Sequence, residues 1–172
     1  MTYHLCGKLT RMKTVALLLL IGLLTVSACG DDDVPAKMDS GKPAMKKDAV
    51  VAKGKATSIT ARDSEFGTIL FDSRDQAIYV FENDRDGKTV CYGECAAAWT
   101  PVFTEAEPKA GRGVDVSLLG TVKRRDGKLQ VTYAGKPLYF YAHEGPGEVK
   151  CHNVNLNGGL WWVVGPDGKR RA

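Results

Sequence analysis

The sequence predicts a mainly β fold: a two-repeat antiparallel β domain with one or two short helices, after a signal peptide and a flexible tether. Three observations predict it. From Thr57 onward, short runs of β-branched and aromatic residues alternate with Gly, Asp-Gly and Pro-Asp-Gly, the punctuation of strands and tight turns. Setting Tyr79 over Tyr139 brings a whole segment into register sixty residues on. Before the domain, Gly30 to Lys55 is rich in Asp, Lys, Pro, Ala and Gly and has no aromatic residue, so it has little to bury against the entropy cost of ordering it.

The N-terminus reads as an export signal, residues 1–28. Val15 to Val26 carries no charge and follows Lys8, Arg11 and Lys13. A span needs about 20 apolar residues, so this run is too short to cross a bilayer and suits a signal peptide. It ends in Val26-Ser27-Ala28-Cys29, which resembles the bacterial lipoprotein processing signal: small residues for a peptidase, then a thiol that takes a diacylglycerol group. Cys29 is the expected lipidation site, and the membrane is the expected partner through N-terminal acyl chains. Met12 opens a compact signal of its own, so the true start can lie there, leaving Cys6 out of the mature chain. In a two-membrane host, Gly30 after the cysteine directs such a protein to the outer membrane. Residues 29–55 are the lipidated end and the tether, spanning roughly 25–30 Å if flexible. Met38 and Met45, without a neighbouring histidine, are a poor copper(I) set.

The chain has 172 residues and a formal charge of +4, with 24 basic against 20 acidic residues. Three of the basic residues sit in the export signal, so the remainder is near neutral and lacks the electrostatic footprint of a nucleic-acid binder.

Residues 56–172 are the β domain. Thr68–Phe71, Ala77–Phe81, Gly120–Lys123, Leu129–Tyr133, Pro137–Tyr141 and Leu160–Val164 are the expected strands. Asp126-Gly127 and Ala134-Gly135 fall at hairpin spacing, and Asp167-Gly168 closes the last run. Helix is expected only over Glu94–Trp99 and as a turn around Asp115–Leu119. The gapless register places Gly67 on Gly127, Ile69 on Leu129, Phe71 on Val131, Ile78 on Leu138, Gly87 on Gly147 and Cys91 on Cys151. After a two-residue slip, Trp99 meets Trp161. The domain therefore reads as two repeats, about 67–103 and 127–164, each unable to bury its apolar face alone.

Each repeat carries Tyr-x-aromatic-x-x-acid: Tyr79, Phe81 and Asp84, then Tyr139, Tyr141 and Glu144. Positions i and i+2 of a strand share a face, so the aromatics stack and the acid starts the turn. With Cys91-x3-Cys95-Ala96-Ala97-Ala98-Trp99, Gly113-Val114-Asp115 and Gln130 to Tyr139, this resembles the bacterial lipoproteins that carry the "secreted repeat of unknown function", known by a Tyr-x-(Phe/Trp/Tyr)-x-x-Asp motif. Glu144 departs from the motif's Asp, Thr100 stands where the family usually has Pro, and Cys151 is not typical. The resemblance implies a location and an architecture, and no known biochemical activity.

Cys91 and Cys95 are within bridging reach if the turn between them tightens, and an oxidising envelope favours a disulfide. Cys91 to Cys151 is a rival pairing that would staple copy to copy. Cys151 and His152, with His143 nearby, are the one constellation that looks like a copper or zinc ligand set, with Cys91 or Cys95 able to complete it. The simpler expectation is no cofactor, with a surface histidine beside a half-buried cysteine. No nucleophile elbow, phosphate loop or His-Glu-x-x-His occurs, so no enzyme is expected. One of the adjacent Trp161 and Trp162 must face outward and marks a contact surface. These features predict a lipid-anchored, non-enzymatic cell-envelope protein whose repeat domain binds an envelope partner or serves a structural role. The alternative is an extracytoplasmic redox or metal-handling protein using Cys91, Cys95, Cys151 and His152.

Overall fold

The computed structural model describes residues 54–172. The expected export signal, Cys29 and the expected tether as far as residue 53 lie outside the described residues, while Lys55, read as the tether's last residue, is tied to the domain by its N–H bond to Glu105 at 2.9 Å.

In chain order the strands are β1 (Ser58–Ser64), β2 (Gly67–Asp72) and β3 (Tyr79–Phe81), then helix α1 (Glu94–Ala98). Next come β4 (Trp99–Pro101), β5 (Phe103–Thr104) and β6 (Lys109–Ala110). A 3-10 turn at Val116–Leu118 leads into β7 (Leu119–Lys123), β8 (Leu129–Tyr133), β9 (Lys136–Pro137), β10 (Tyr139–Tyr141), β11 (Val154–Leu156) and β12 (Gly159–Val163). All six expected strands and both helical turns are present, and the described residues are mainly β. The unexpected β1 is a polar strand burying only Ile59 and Ala61, too weak an apolar alternation to stand out.

The sheet order exposes the repeat. A central sheet runs β11-β12-β3-β10-β4, flanked by β2-β1-β6 and by β5-β8-β7, with β9 also on β8. The middle pair is β3 against β10, antiparallel, with Tyr79 opposite Tyr139. Outside it each copy exchanges a strand: β12 of the second copy pairs with β3 of the first, and β4 of the first pairs with β10 of the second. An approximate two-fold axis therefore passes between the two motif tyrosines.

Strand alternation divides the interior in two. One face of the central sheet presents Tyr79, Phe81, Trp99, Tyr139, Tyr141 and Trp161 to an aromatic cluster with Ile69 and Phe71. The other presents Val80, Val102 and Val164 to an aliphatic cluster with Ile59, Leu70, Ile78, Val131 and Leu138. The central β3 is buried at every position, as a strand covered on both faces must be.

Here one part of the expected register is corrected. Phe71 and Val131 face different clusters, while Leu70 and Val131 share one, so β8 is offset from β2 by one residue more than the motif offset. The connection from β2 to β3 is longer by that residue. The second copy turns through Ala134 and Gly135, at φ 48° and 72°, the two-residue hairpin geometry that fits strand twist. A one-residue slip reverses every side chain's face, which is why Gln130 is buried among aromatics at the place Ile69 holds in the first copy.

Candidate functional site

The motif residues meet at the two-fold axis. Trp99 and Trp161 stack there with centroids 3.9 Å apart and planes 2° from parallel. Tyr79 is edge-on to Trp99 at 5.3 Å and Tyr139 to Trp161 at 5.1 Å. Phe81 stacks on Trp161 at 4.2 Å, and Tyr141 tilts against Trp99 at 4.8 Å. Offset and edge-to-face pairs like these add to the burial of large aromatic area.

The tyrosine hydroxyls reach across the copies. Tyr79 donates to Glu144 at 2.6 Å, and Tyr139 donates to Asp84 at 2.6 Å. Each motif tyrosine is thus bonded to the other repeat's motif acid. Both rings are fully buried. Burial pushes both hydroxyls far above the ordinary phenol range, reinforced by the carboxylate each faces. Burial also raises both carboxyls above their usual range, against the opposing effect of these hydrogen bonds. The protons stay on the tyrosines, and the pairs act as polar pins through an apolar interface.

The acids also close their own loops. Asp84 accepts from the Val90 N–H at 2.9 Å, and Glu144 from the N–H groups of Lys150 at 2.5 Å and Cys151 at 3.1 Å. In the first copy the Cys91 N–H is met by the Thr89 hydroxyl at 3.3 Å instead. Thr89 corresponds to Val149, which has no hydroxyl. The departure of Glu144 from the motif's Asp is explained: Asp with Thr in one copy, and the longer Glu with Val in the other, satisfy the same two loop N–H groups.

Residues 60–103 and 120–165, just over half of the chain, match the family described as a secreted repeat of unknown function. The chain belongs to this family. No curated protein and no solved structure matches it. The two matched segments of the secreted-repeat family contain the exchanged strands, both motif tyrosines and both motif acids.

Only the first motif acid is tied to a buried cation. Tyr139 gives its one proton to Asp84, so the Thr89 hydroxyl 2.5 Å away donates to the tyrosine oxygen. Arg124, 4% exposed, donates to Thr89 at 3.2 Å, to Gln130 Oε1 at 2.7 Å and to the Cys91 carbonyl at 2.8 Å. Sequence reasoning missed Arg124, Gln130 and Thr89. Arg124 sits in a Lys-Arg-Arg-Asp-Gly-Lys turn that reads as solvated, and only the altered register of β8 brings Gln130 inside.

The cysteine pairing left open is settled for Cys91, which is disulfide-bonded to Cys95 with Cα atoms 5.3 Å apart. The rival Cys91–Cys151 bridge is thereby excluded. Cys151 is fully buried in the aromatic cluster. The expected ligand set does not assemble. His143 is exposed, edge-on to Tyr141 at 5.4 Å, whereas His152 packs on Phe66 at 4.3 Å and its Nδ1 accepts from Val163 N–H at 3.4 Å. Among the described residues no three His, Cys, Asp or Glu side chains form a metal-binding group. Of the two adjacent tryptophans, Trp161 is buried and Trp162 half-exposed, with Arg170 over its ring at 4.8 Å. A shallow cleft of about 470 Å³ near the start of the domain is lined by Lys55, Asp72, Arg74, Phe103 and Phe140, apart from the motif residues.

Proposed function

We propose that the protein is a lipid-anchored, non-enzymatic cell-envelope lipoprotein whose paired repeats form a scaffold for an envelope partner. The observation that carries this reading is the use made of the family motif. Its tyrosines and Glu144 are buried, Asp84 is half-buried, and each tyrosine is bonded to the other copy's acid, so they are engaged in holding the fold. The sequence Val26-Ser27-Ala28-Cys29 supports the anchor, and the partly exposed edge of Trp162 beneath Arg170 supports the partner surface.

Mass spectrometry of the mature protein tests the anchor: an acylated Cys29 at the N-terminus is expected, and an unmodified Cys29 or a different terminus overturns it. A photo-crosslinking residue at Leu160, next to Trp162, tests the partner: a discrete crosslinked band dependent on Trp162 is expected in cells, and none appears if the face is idle. A redox reading retains one observation, the Cys91–Cys95 disulfide with a partly exposed Cys95. Thiol titration decides it: resistance to mild thiol reductant in the native protein supports the scaffold, and reversible reduction without unfolding supports a redox role.

A further inference from the structure

The β7–β8 hairpin concentrates positive charge. Lys123-Arg124-Arg125-Asp126-Gly127-Lys128 holds four cations and one acid. Arg124 is internal, but Lys123, Arg125 and Lys128 are exposed. Their placement is built. Arg124 and Arg125 lie over the Tyr92 ring at 4.3 and 4.0 Å, and the Arg125 N–H donates to the Tyr92 hydroxyl at 3.2 Å. Lys128 lies over Phe103 at 5.0 Å. The single acid, Asp126, faces Arg124 at 3.6 Å, so it does not neutralise the three exposed cations directly.

The hairpin also lies beside the start of the domain. Thr57 Oγ1 donates to the Phe103 carbonyl at 2.7 Å, and Lys55 N–H to Glu105 at 2.9 Å. Phe103 thus contacts both the first described residues and the cationic hairpin. The cationic hairpin therefore lies on the side of the domain where the chain enters it.

We propose that the Lys123–Lys128 hairpin docks the domain on an anionic lipid surface. This rests on the anchored reading above. Cations beside a bilayer gain from its surface potential over about a Debye length. Their aromatic backing suits the interface, where side chains combine an apolar body with a charged tip. On this reading the acyl chains supply the attachment and the hairpin sets which face of the domain meets the headgroups.

The test uses the full-length acylated protein in vesicles containing dansyl-labelled lipid. Transfer from the domain's own tryptophans to the dansyl groups reports its approach to the bilayer. Transfer is expected to be several-fold higher with phosphatidylglycerol present than with phosphatidylcholine alone, to fall in high salt, and to be lost in Lys123→Glu/Arg125→Glu/Lys128→Glu. The variant Lys123→Arg/Lys128→Arg should retain it, which separates charge from folding. Equal transfer on both vesicles, or no effect of charge reversal in a folded protein, overturns the proposal. Binding to a DNA duplex without closer approach to anionic vesicles also overturns it. If the protein floats with no vesicle type, both hairpin and anchor fail. If it floats only with phosphatidylglycerol, the anchor fails while the hairpin stands.

Discussion

At the scale of single residues, the two acids set an unusual pH dependence. Asp84 and Glu144 have carboxyls raised above their ordinary values by burial. For a group whose folded value is raised, the stabilising contribution is complete below the unfolded value, about pH 4, and is lost as pH rises through the folded value. Stability should therefore climb as pH falls from neutrality toward that range, and chemical denaturation at several pH values should show a slope that flattens in Asp84→Asn/Glu144→Gln. Exposed Asp115 and Glu148, lowered by hydrogen bonds, act oppositely and below that window, and His152, lowered by burial, acts oppositely within it, so the contribution of the two acids is read as the difference in slope between the wild type and Asp84→Asn/Glu144→Gln. The Asp/Thr and Glu/Val solutions give a second prediction. Glu144→Asp should cost about 1–3 kcal/mol by leaving buried N–H groups unmet, and adding Val149→Thr should recover part of it in urea denaturation. The motif tyrosines and acids were legible in the sequence, but their partners across the copies were not. Spacing within one repeat does not reveal which strand it will pair with.

At the scale of elements, α1 is too short to stand alone, since helices of a few residues do not repay the cost of nucleation. Its N-cap is Gly93, without a side-chain cap, and the Cys91–Cys95 disulfide ties it to the core. Closing so short a loop contributes about 2 kcal/mol on the chain-entropy account. Cys91→Ala/Cys95→Ala should lower the denaturation midpoint accordingly and speed amide exchange through α1, while the central sheet remains protected. The hairpins and α1 were readable because Gly pairs and the Ala run carry local physics. β1 and the short β4 were not, because their strand character depends on neighbours. Trp99, read as the last helical residue, begins β4 and pairs with Tyr141. In β4 its ring stacks on Trp161 inside the aromatic cluster.

For the whole molecule, the exchange of β4 and β12 makes the copies interdependent. Neither keeps its own tyrosine–acid pair, and each central strand borrows its outer neighbour from the other copy. A fragment ending in the 105–118 connection should show no cooperative thermal transition by circular dichroism. Mixing it with the complementary fragment should restore one. Independent folding of either fragment would refute this interlock.

By itself the sequence determined the β class, the two-repeat organisation and the motif residues. These follow from local pattern: alternation, turn residues and a repeat period. Only the tertiary structure decided that the tyrosines bond across the axis, that β8 is displaced by one residue and buries Gln130 with Arg124, that Cys91 pairs with Cys95, and that His143, Cys151 and His152 do not assemble as ligands. The physical reason is common to all four. Each depends on which segments meet in space, and with two nearly equivalent repeats the local pattern is the same whether a strand pairs within its own copy or with the other.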